Sequence, residues 1–220
     1  MKKTMLIAPF GGALAAAIAA EARAAGWAVA LAMPGPPRAG QEKTEDDPGG
    51  DTATLSYNPS SYVSVAALVL SARNALGEID AAVLVADRGS GGLDLVASKP
   101  GDIAALVEEK CAGPLYLARE LVRRFEARRS GSILMLSSEP PRDASSGPST
   151  SLVDSAFEGL GRGLFGLSSG ASWRAYGVQD ASSQADRAAR FALGLLGEAK
   201  GAKAGRWIRF TGRTGIFGGA

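Results

Sequence analysis

Four places in this chain bring together residue types that can do chemistry. The first is the turn Ala8-Pro9-Phe10-Gly11-Gly12-Ala13-Leu14-Ala15, which opens an alanine-rich run. Backbone N–H groups at such a helix start attract anions, and Gly11 and Gly12 keep the turn tight enough for a weak anion site. The second is Ser137-Ser138 at the end of an apolar run, where a hydroxyl could serve as a nucleophile or an oxyanion donor. A hydrolase needs a general base, however, and the chain has no histidine. Serines at such a place more often satisfy backbone groups at a strand end. The third is Thr150-Ser151 with Asp154, a set that could hold a small polar ligand, although Thr or Ser at a helix start is more often an N-cap. The fourth is Lys110 beside the single cysteine, Cys111. An activated thiol is one reading there, and inert packing on a buried helix face is the commoner one.

Composition removes several classes of function. The 24 basic and 22 acidic residues leave a formal charge of +2. No Lys/Arg cluster is interleaved with aromatics, so a nucleic-acid partner is not expected. One cysteine excludes an internal disulfide, and the missing histidines remove the usual zinc constellations. No stretch approaches ~18 uninterrupted, strongly apolar residues, which argues against a membrane span. Met1-Lys2-Lys3 and the apolar residues after it superficially suggest a leader, but Pro9, the glycine pair, Glu21 and Arg23 break the run into strand, turn and helix. A soluble cytoplasmic protein with a single domain over 1–220 is the expectation, because the length suits one sizeable core.

The elements that must position these residues alternate along the chain. Strands are predicted over Thr4 to Ala8, Trp27 to Met33, Thr52 to Tyr57, Ala81 to Ala86, Ser132 to Leu136, Ser172 to Val178 and Arg206 to Phe210. Helices are predicted over Gly12 to Ala25, Ser60 to Leu76, Asp102 to Arg128, Thr150 to Leu167 and Ser183 to Glu198. Pro34-Gly35-Pro36-Pro37 should stop the second strand, since proline donates to no ladder. The second helix carries its apolar periodicity on Val63, Ala66, Ala67 and Leu70. The polar stretch 38–51, with Glu42, Glu45, Asp46 and Asp47, reads as a flexible acidic loop that could dock a basic partner, although solvation explains such a run more often. Trp173 and Trp207 suit core positions and interface anchors equally. Strands alternating with helices predict a parallel sheet covered on both faces, a doubly wound sandwich.

The order of segments resembles the short-chain dehydrogenase/reductase superfamily over nearly the whole chain. Ile79-Asp80-Ala81-Ala82-Val83-Leu84-Val85 is similar to that family's central strand, and Gly113-Pro114 sits in the long helix where the family often has it. Gly131-Ser132-Ile133-Leu134-Met135-Leu136-Ser137-Ser138 resembles the strand that delivers the catalytic serine. Glu158-Gly159-Leu160-Gly161-Arg162-Gly163-Leu164 resembles the helix that carries the Tyr-x-x-x-Lys motif. The final strand is matched by Gly205-Arg206-Trp207-Ile208-Arg209-Phe210-Thr211-Gly212. The resemblance implies an α/β, Rossmann-like, doubly wound three-layer sandwich with a mostly parallel sheet of about seven strands.

It also implies which positions should bind NAD(P) and move a hydride, and there the chain departs. The phosphate-binding glycines fall on Pro9, Ala13 and Ala15, so a donor is lost and methyl groups are added where a pyrophosphate would lie. Met33 stands where a ribose-binding acid would, Asn58 where an aspartate contacts adenine, and Leu84-Val85-Ala86-Asp87 replaces Asn-Asn-Ala-Gly. In the catalytic set the tyrosine position is Thr150, the lysine position Asp154 and the asparagine position Lys110, with Ser138 alone retained. A threonine hydroxyl has too high a pKa to replace the phenol, and Asp for Lys inverts the charge that would stabilise a phenolate. The mobile segment that closes over substrate is expected to be missing, because Tyr176 to Asp180 runs almost straight into the next helix.

What the resemblance leaves intact is assembly surface. In the family two long helices pair across a two-fold axis, and the last strand with its preceding helix forms a second face. Here these are 102–128 with 150–167, and 186–210. Gly159, Gly161 and Gly163 lower helix propensity by about 1 kcal/mol each and would admit another helix closely. The expectation is a catalytically inactive subunit that acts through homo-oligomers, or hetero-oligomers with an active relative, with no cofactor. The alternatives are an NAD(P)-dependent oxidoreductase with a diverged site, and a small-ligand module in the cleft beside Gly11 and Ser138.

Overall fold

The computed structural model describes residues 2–9, 11–35, 50–86, 92–139, 147–197 and 204–212. The strands are β1 (Thr4–Ala8), β2 (Ala28–Pro34), β3 (Thr52–Tyr57), β4 (Ile79–Ala86), β5 (Ser132–Ser138), β6 (Arg174–Asp180) and β7 (Trp207–Phe210). They form one seven-stranded sheet in the order β3-β2-β1-β4-β5-β6-β7. Every pairing is parallel. The helices are α1 (Gly12–Ala24), α2 (Tyr62–Leu76), α3 (Pro100–Val107), α4 (Gly113–Arg128), α5 (Pro148–Ser168) and α6 (Ala185–Gly197).

The apolar runs that predict buried strands do so because both sheet faces are covered. Along β1, Leu6 and Ala8 point to one core and Met5 and Ile7 to the other. β5 repeats this, with Ile133 and Met135 against Leu134 and Leu136. The first core is closed by α2, α4 and α5 through Leu68, Val69, Leu121, Phe125 and Phe157. The second is closed by α1 and α6 through Leu14, Ile18, Ala189, Ala192 and Leu195. α2 is also pinned to α4 by the Tyr62 hydroxyl, which donates to buried Glu120 at 2.7 Å.

Five expectations change on contact with the structure. Pro34 is the last residue of β2, opposite Tyr57, because the end of a strand forfeits only one ladder bond and Gly35 N supplies the next to Tyr57 O at 2.9 Å. α2 is apolar nearly all round, and the sheet takes Val65, Leu68, Val69 and Ala72 while Val63 and Leu70 stay exposed. The helical run from Pro100 to Arg128 is interrupted by a π-turn over Glu108–Ala112. α5 starts at Pro148 with Gly147 at its N-cap, so Thr150 lies inside the helix and is buried rather than capping it. Gly161 admits no second helix, because a Cβ there would fall 2.6 Å from the Trp207 ring.

Trp207 thus resolves toward the core. Its ring packs edge-on against Phe165 with centroids 5.7 Å apart, and Gly177 of β6 clears the other side, where a Cβ would lie 2.6 Å away. Trp173 is wholly buried. Apart from Gly50 and Asp51, the acidic 38–51 stretch lies outside the described residues; Asp51 forms an ion pair with Lys2. No helix among the described residues is long and apolar enough to cross a membrane.

Candidate functional site

The sheet order places a crevice where a parallel fold makes one. β1 leads through α1 to β2 on one side, and β4 leads through α3 and α4 to β5 on the other. Their connections diverge at the C-terminal edge between β1 and β4, a topological switch point. A cavity of about 260 Å³ opens there. Its floor is Val85 and Ala86 at the end of β4, with Pro9 and Gly11 from the first turn. Pro34, Tyr57 and Pro59 form one wall. Glu109, Lys110 and Pro114 form a second, from the π-turn and the start of α4. Val153, Asp154 and Phe157 of α5 complete it.

Local structure explains why these walls meet. The π-turn inserts one residue into the helical ladder, the kind of irregularity that recurs at functional sites. Just after it, Gly113 lies so close to the β3–α2 connection that a Cβ would stand 2.9 Å from Pro59 O. In the first turn, Gly12 holds φ at +74°, a conformation that only glycine adopts without strain. Gly11 caps α1 with no side chain to offer.

The structure gathers some of the expected site residues and disperses others. Pro9, Gly11, Lys110 and Asp154 share the cavity. Ala15 is fully buried within the α1 core, whereas Ala13 borders a groove between α1 and the start of α6. Gly12 is exposed at the turn. Asn58 is turned to local work: its Oδ1 accepts from Ser60 N at 3.0 Å, and its N–H donates to Ser64 Oγ at 2.9 Å. Ser138 ends β5 opposite Asp180 and is not a lining residue. Thr150 faces Gly92, where a Cβ would lie 2.3 Å from its Oγ1. Its neighbour Ser149 makes the polar contacts, accepting from Leu93 N at 2.8 Å and donating to Leu93 O at 3.1 Å. Asp87 lies outside the described residues.

Tyr57 and Glu109 line the cavity and are absent from the sequence-based site. The rule that ligands sit beyond the carboxyl ends of parallel strands would have found Tyr57, the last residue of β3. Burial, with the Glu109 carboxylate second, pushes the Tyr57 phenol above the usual tyrosine range, so it stays a neutral donor through physiological pH. Lys110 pairs with Glu109 at 2.7 Å. Burial also raises the half-buried Cys111 thiol, which opposes an activated thiolate. No group of three or more His, Cys, Asp or Glu among the described residues could hold a metal ion.

The lining does not fit a dinucleotide. Pro9 presents no N–H to a pyrophosphate, Pro34 at the end of β2 presents no side-chain oxygen to a ribose, and two carboxylates border the space. Nor does a segment close over the crevice from β6. Only residues 181–184 separate β6 from α6, and they are tied into a turn in which Asp180 Oδ1 accepts from Ser182 N at 2.8 Å and Ser182 Oγ at 2.6 Å.

No family model matches the chain, and no curated protein matches it. Solved structures do. A short-chain dehydrogenase/reductase variant of Serratia marcescens superposes with a TM-score of 0.75 at 18% identity, covering 96% of each chain. A short-chain dehydrogenase/reductase of Brucella melitensis gives 0.74 at 19%, over 96% of this chain and 98% of that one. A Brucella ovis oxidoreductase of the same family, solved with partially ordered NAD, gives 0.74 at 15%, over 95% and 99%. With all seven strands in one parallel order, the chain has the Rossmann-like fold of the short-chain dehydrogenase/reductases.

Proposed function

We propose that this chain is a short-chain dehydrogenase/reductase relative that no longer transfers hydride and acts by assembling with a second chain of the same fold. That second chain is a copy of itself or an active relative. The observation that carries this reading is α3. Ile103-Ala104-Ala105-Leu106-Val107 is continuously apolar, yet the helix has no buried residue. Ile103 and Val107 are each 37% exposed, while Leu115 on α4 and Leu152 on α5 are 55% and 51% exposed. These residues lie on the two helices that the resemblance assigns to pairing. The 186–210 segment offers a second face, since β7 is the last strand of the sheet.

The loss of chemistry is supported by three positions. The hydroxyl at the tyrosine position, Thr150, is buried away from the cavity. The lysine position carries the opposite charge in Asp154, and the asparagine position carries Lys110 in an ion pair. Sedimentation of the purified chain tests assembly. A dimer or larger species is expected, and Ile103→Glu should shift it to monomer without loss of fold. A monomer at micromolar concentration that also recovers no same-fold partner from its host contradicts the reading.

Two observations favour other readings. The fold neighbours include oxidoreductases solved with NAD and NADP, which favours a dehydrogenase with a diverged site. Binding of NAD(H) or NADP(H) tighter than ~100 µM, about −5.5 kcal/mol, would support that rival. The cavity itself favours a small-ligand module.

A further inference from the structure

We propose that the cavity at the β1/β4 switch point binds an uncharged molecule of about one ring, held by a hydrogen bond from the Tyr57 hydroxyl to an acceptor atom on that molecule. The proposal deepens the small-ligand reading of this crevice and rests on it. No bond is made or broken there. Size sets the body. A cavity of about 150 Å³ accommodates benzene, so about 260 Å³ suits one ring with a short arm. The walls set its character, since Pro9, Pro34, Pro59, Pro114 and Phe157 supply apolar rings around the space.

The Tyr57 hydroxyl selects the polar partner. Tyr57 is only 4% exposed, and among the described residues its phenol oxygen makes no hydrogen bond. Its backbone carbonyl alone is engaged, by Gly35 N. Nor is the oxygen sealed in the core. The sealed side-chain atoms that lack a partner among the described residues are Thr52 Oγ1, Arg124 Nε and Trp173 Nε1, so the Tyr57 oxygen meets open space. Burial raises the phenol most and the Glu109 carboxylate adds to it; Glu109 lines the same cavity, which puts the oxygen on the cavity side of the ring. A phenol that keeps its proton offers a donor there. Other polar groups of the lining are taken: Glu109 and Lys110 satisfy each other at 2.7 Å, and Asp154 has a partner of its own. A charged ligand would shed its water among apolar rings, and one neutral hydrogen bond returns far less than that costs. An uncharged acceptor sheds less and gains the phenol as donor.

Three probes test this, titrated into the full chain at neutral pH by ligand-observed NMR with NADH as competitor: acetophenone, which carries an uncharged acceptor; ethylbenzene, which carries none; and benzoate, whose acceptor is charged. Each is compared in the parent chain and in Tyr57→Phe, a change that deletes the hydroxyl and strands no protein group. Acetophenone should bind at least about ten-fold more tightly than benzoate. Tyr57→Phe should weaken acetophenone by about 3- to 10-fold and leave ethylbenzene unchanged. The carbonyl carbon resonance of bound acetophenone should move downfield in the parent chain and not in the variant. Benzoate binding as well as acetophenone, or a Tyr57→Phe chain that loses nothing for acetophenone or loses as much for ethylbenzene, would overturn the proposal and leave the cavity a small-ligand site. If none of the three binds at roughly 5 mM or its solubility limit, the small-ligand reading falls with the proposal. Displacement of acetophenone by NADH would return the crevice to a dinucleotide and overturn both.

Discussion

The two ends of the sheet are built on different terms. At the N-terminal end, side chains bridge strands and helices. Asp80 Oδ2 accepts from Thr4 N at 2.9 Å, Arg128 reaches Asp80 Oδ1 at 3.1 Å and Ile79 O at 2.6 Å, and Thr4 Oγ1 donates to Leu76 O at 2.9 Å. At the C-terminal end, where parallel sheets bind their ligands, prolines, two aromatics and an exposed ion pair surround a cavity. The difference separates stability from function. The N-terminal end is held by bridges between side chains and backbone, while the C-terminal end keeps a crevice whose lining differs from what the family resemblance leads one to expect at the NAD(P) and hydride-transfer positions. A chain can retain nearly all of its folding energy while its site changes, because the two reside in different residues.

Substitutions at the two ends should therefore behave differently. The largest effect is expected from Asp80→Ala, which removes the acceptor of Thr4 N–H and leaves the Arg128 guanidinium with Ile79 O but without its Asp80 partner. Denaturant unfolding should show a loss of about 2–3 kcal/mol with little change in ligand binding. Next is Gly113→Ala, whose new methyl would stand 2.9 Å from Pro59 O and 3.0 Å from Pro59 Cβ. Since backbone must move, a cost of about 1–2 kcal/mol is expected, and, unlike Asp80→Ala, this variant should also alter binding in the cavity.

Tyr57→Phe comes third and is read through pH. Burial, then Glu109, raise the folded phenol above its ordinary value. The unfolded chain releases that proton near pH 10 (about the model-peptide value), so the associated stability is whole below that pH and is lost as pH rises toward the folded value. Between pH 8 and 11 the phenylalanine variant should lose less stability than the parent chain, by on the order of 1 kcal/mol. An identical alkaline loss in both chains would show that Tyr57 is not held protonated. Smallest is Lys110→Gln, with thermal unfolding displaced by less than about 0.5 kcal/mol, as for an exposed pair. A loss comparable to Asp80→Ala would erase the distinction between the two ends.

Much of this fold was legible because it rests on local signals. The Ala81–Ala86 run is apolar on both faces, as a central parallel strand must be, and the glycine after each of α1 and α2 marks where the helix ends. The carry-over from the family resemblance brought Lys110 and Asp154 to one cavity, because the π-turn and α5 converge there. Other features depend on neighbours far away in sequence. α2 offers two apolar faces, and only the sheet decides which one is buried. The π-turn adds one residue to a helix without any mark in composition. The seat of Trp207 is made jointly by Gly161 and Gly177, on a helix and a strand, so helix-packing rules misread Gly161. Thr150 looked like a cap because its type suits one, but Pro148 begins the helix earlier and turns Thr150 inward.

The central claim is that the crevice between β1 and β4 no longer accepts a nicotinamide dinucleotide. Titration of the purified chain with NADH and NADPH, followed by calorimetry or nicotinamide fluorescence, tests it most directly. No saturable binding up to ~1 mM, weaker than about −4 kcal/mol, is the expected result, and a dissociation constant below ~100 µM for either coenzyme would contradict it.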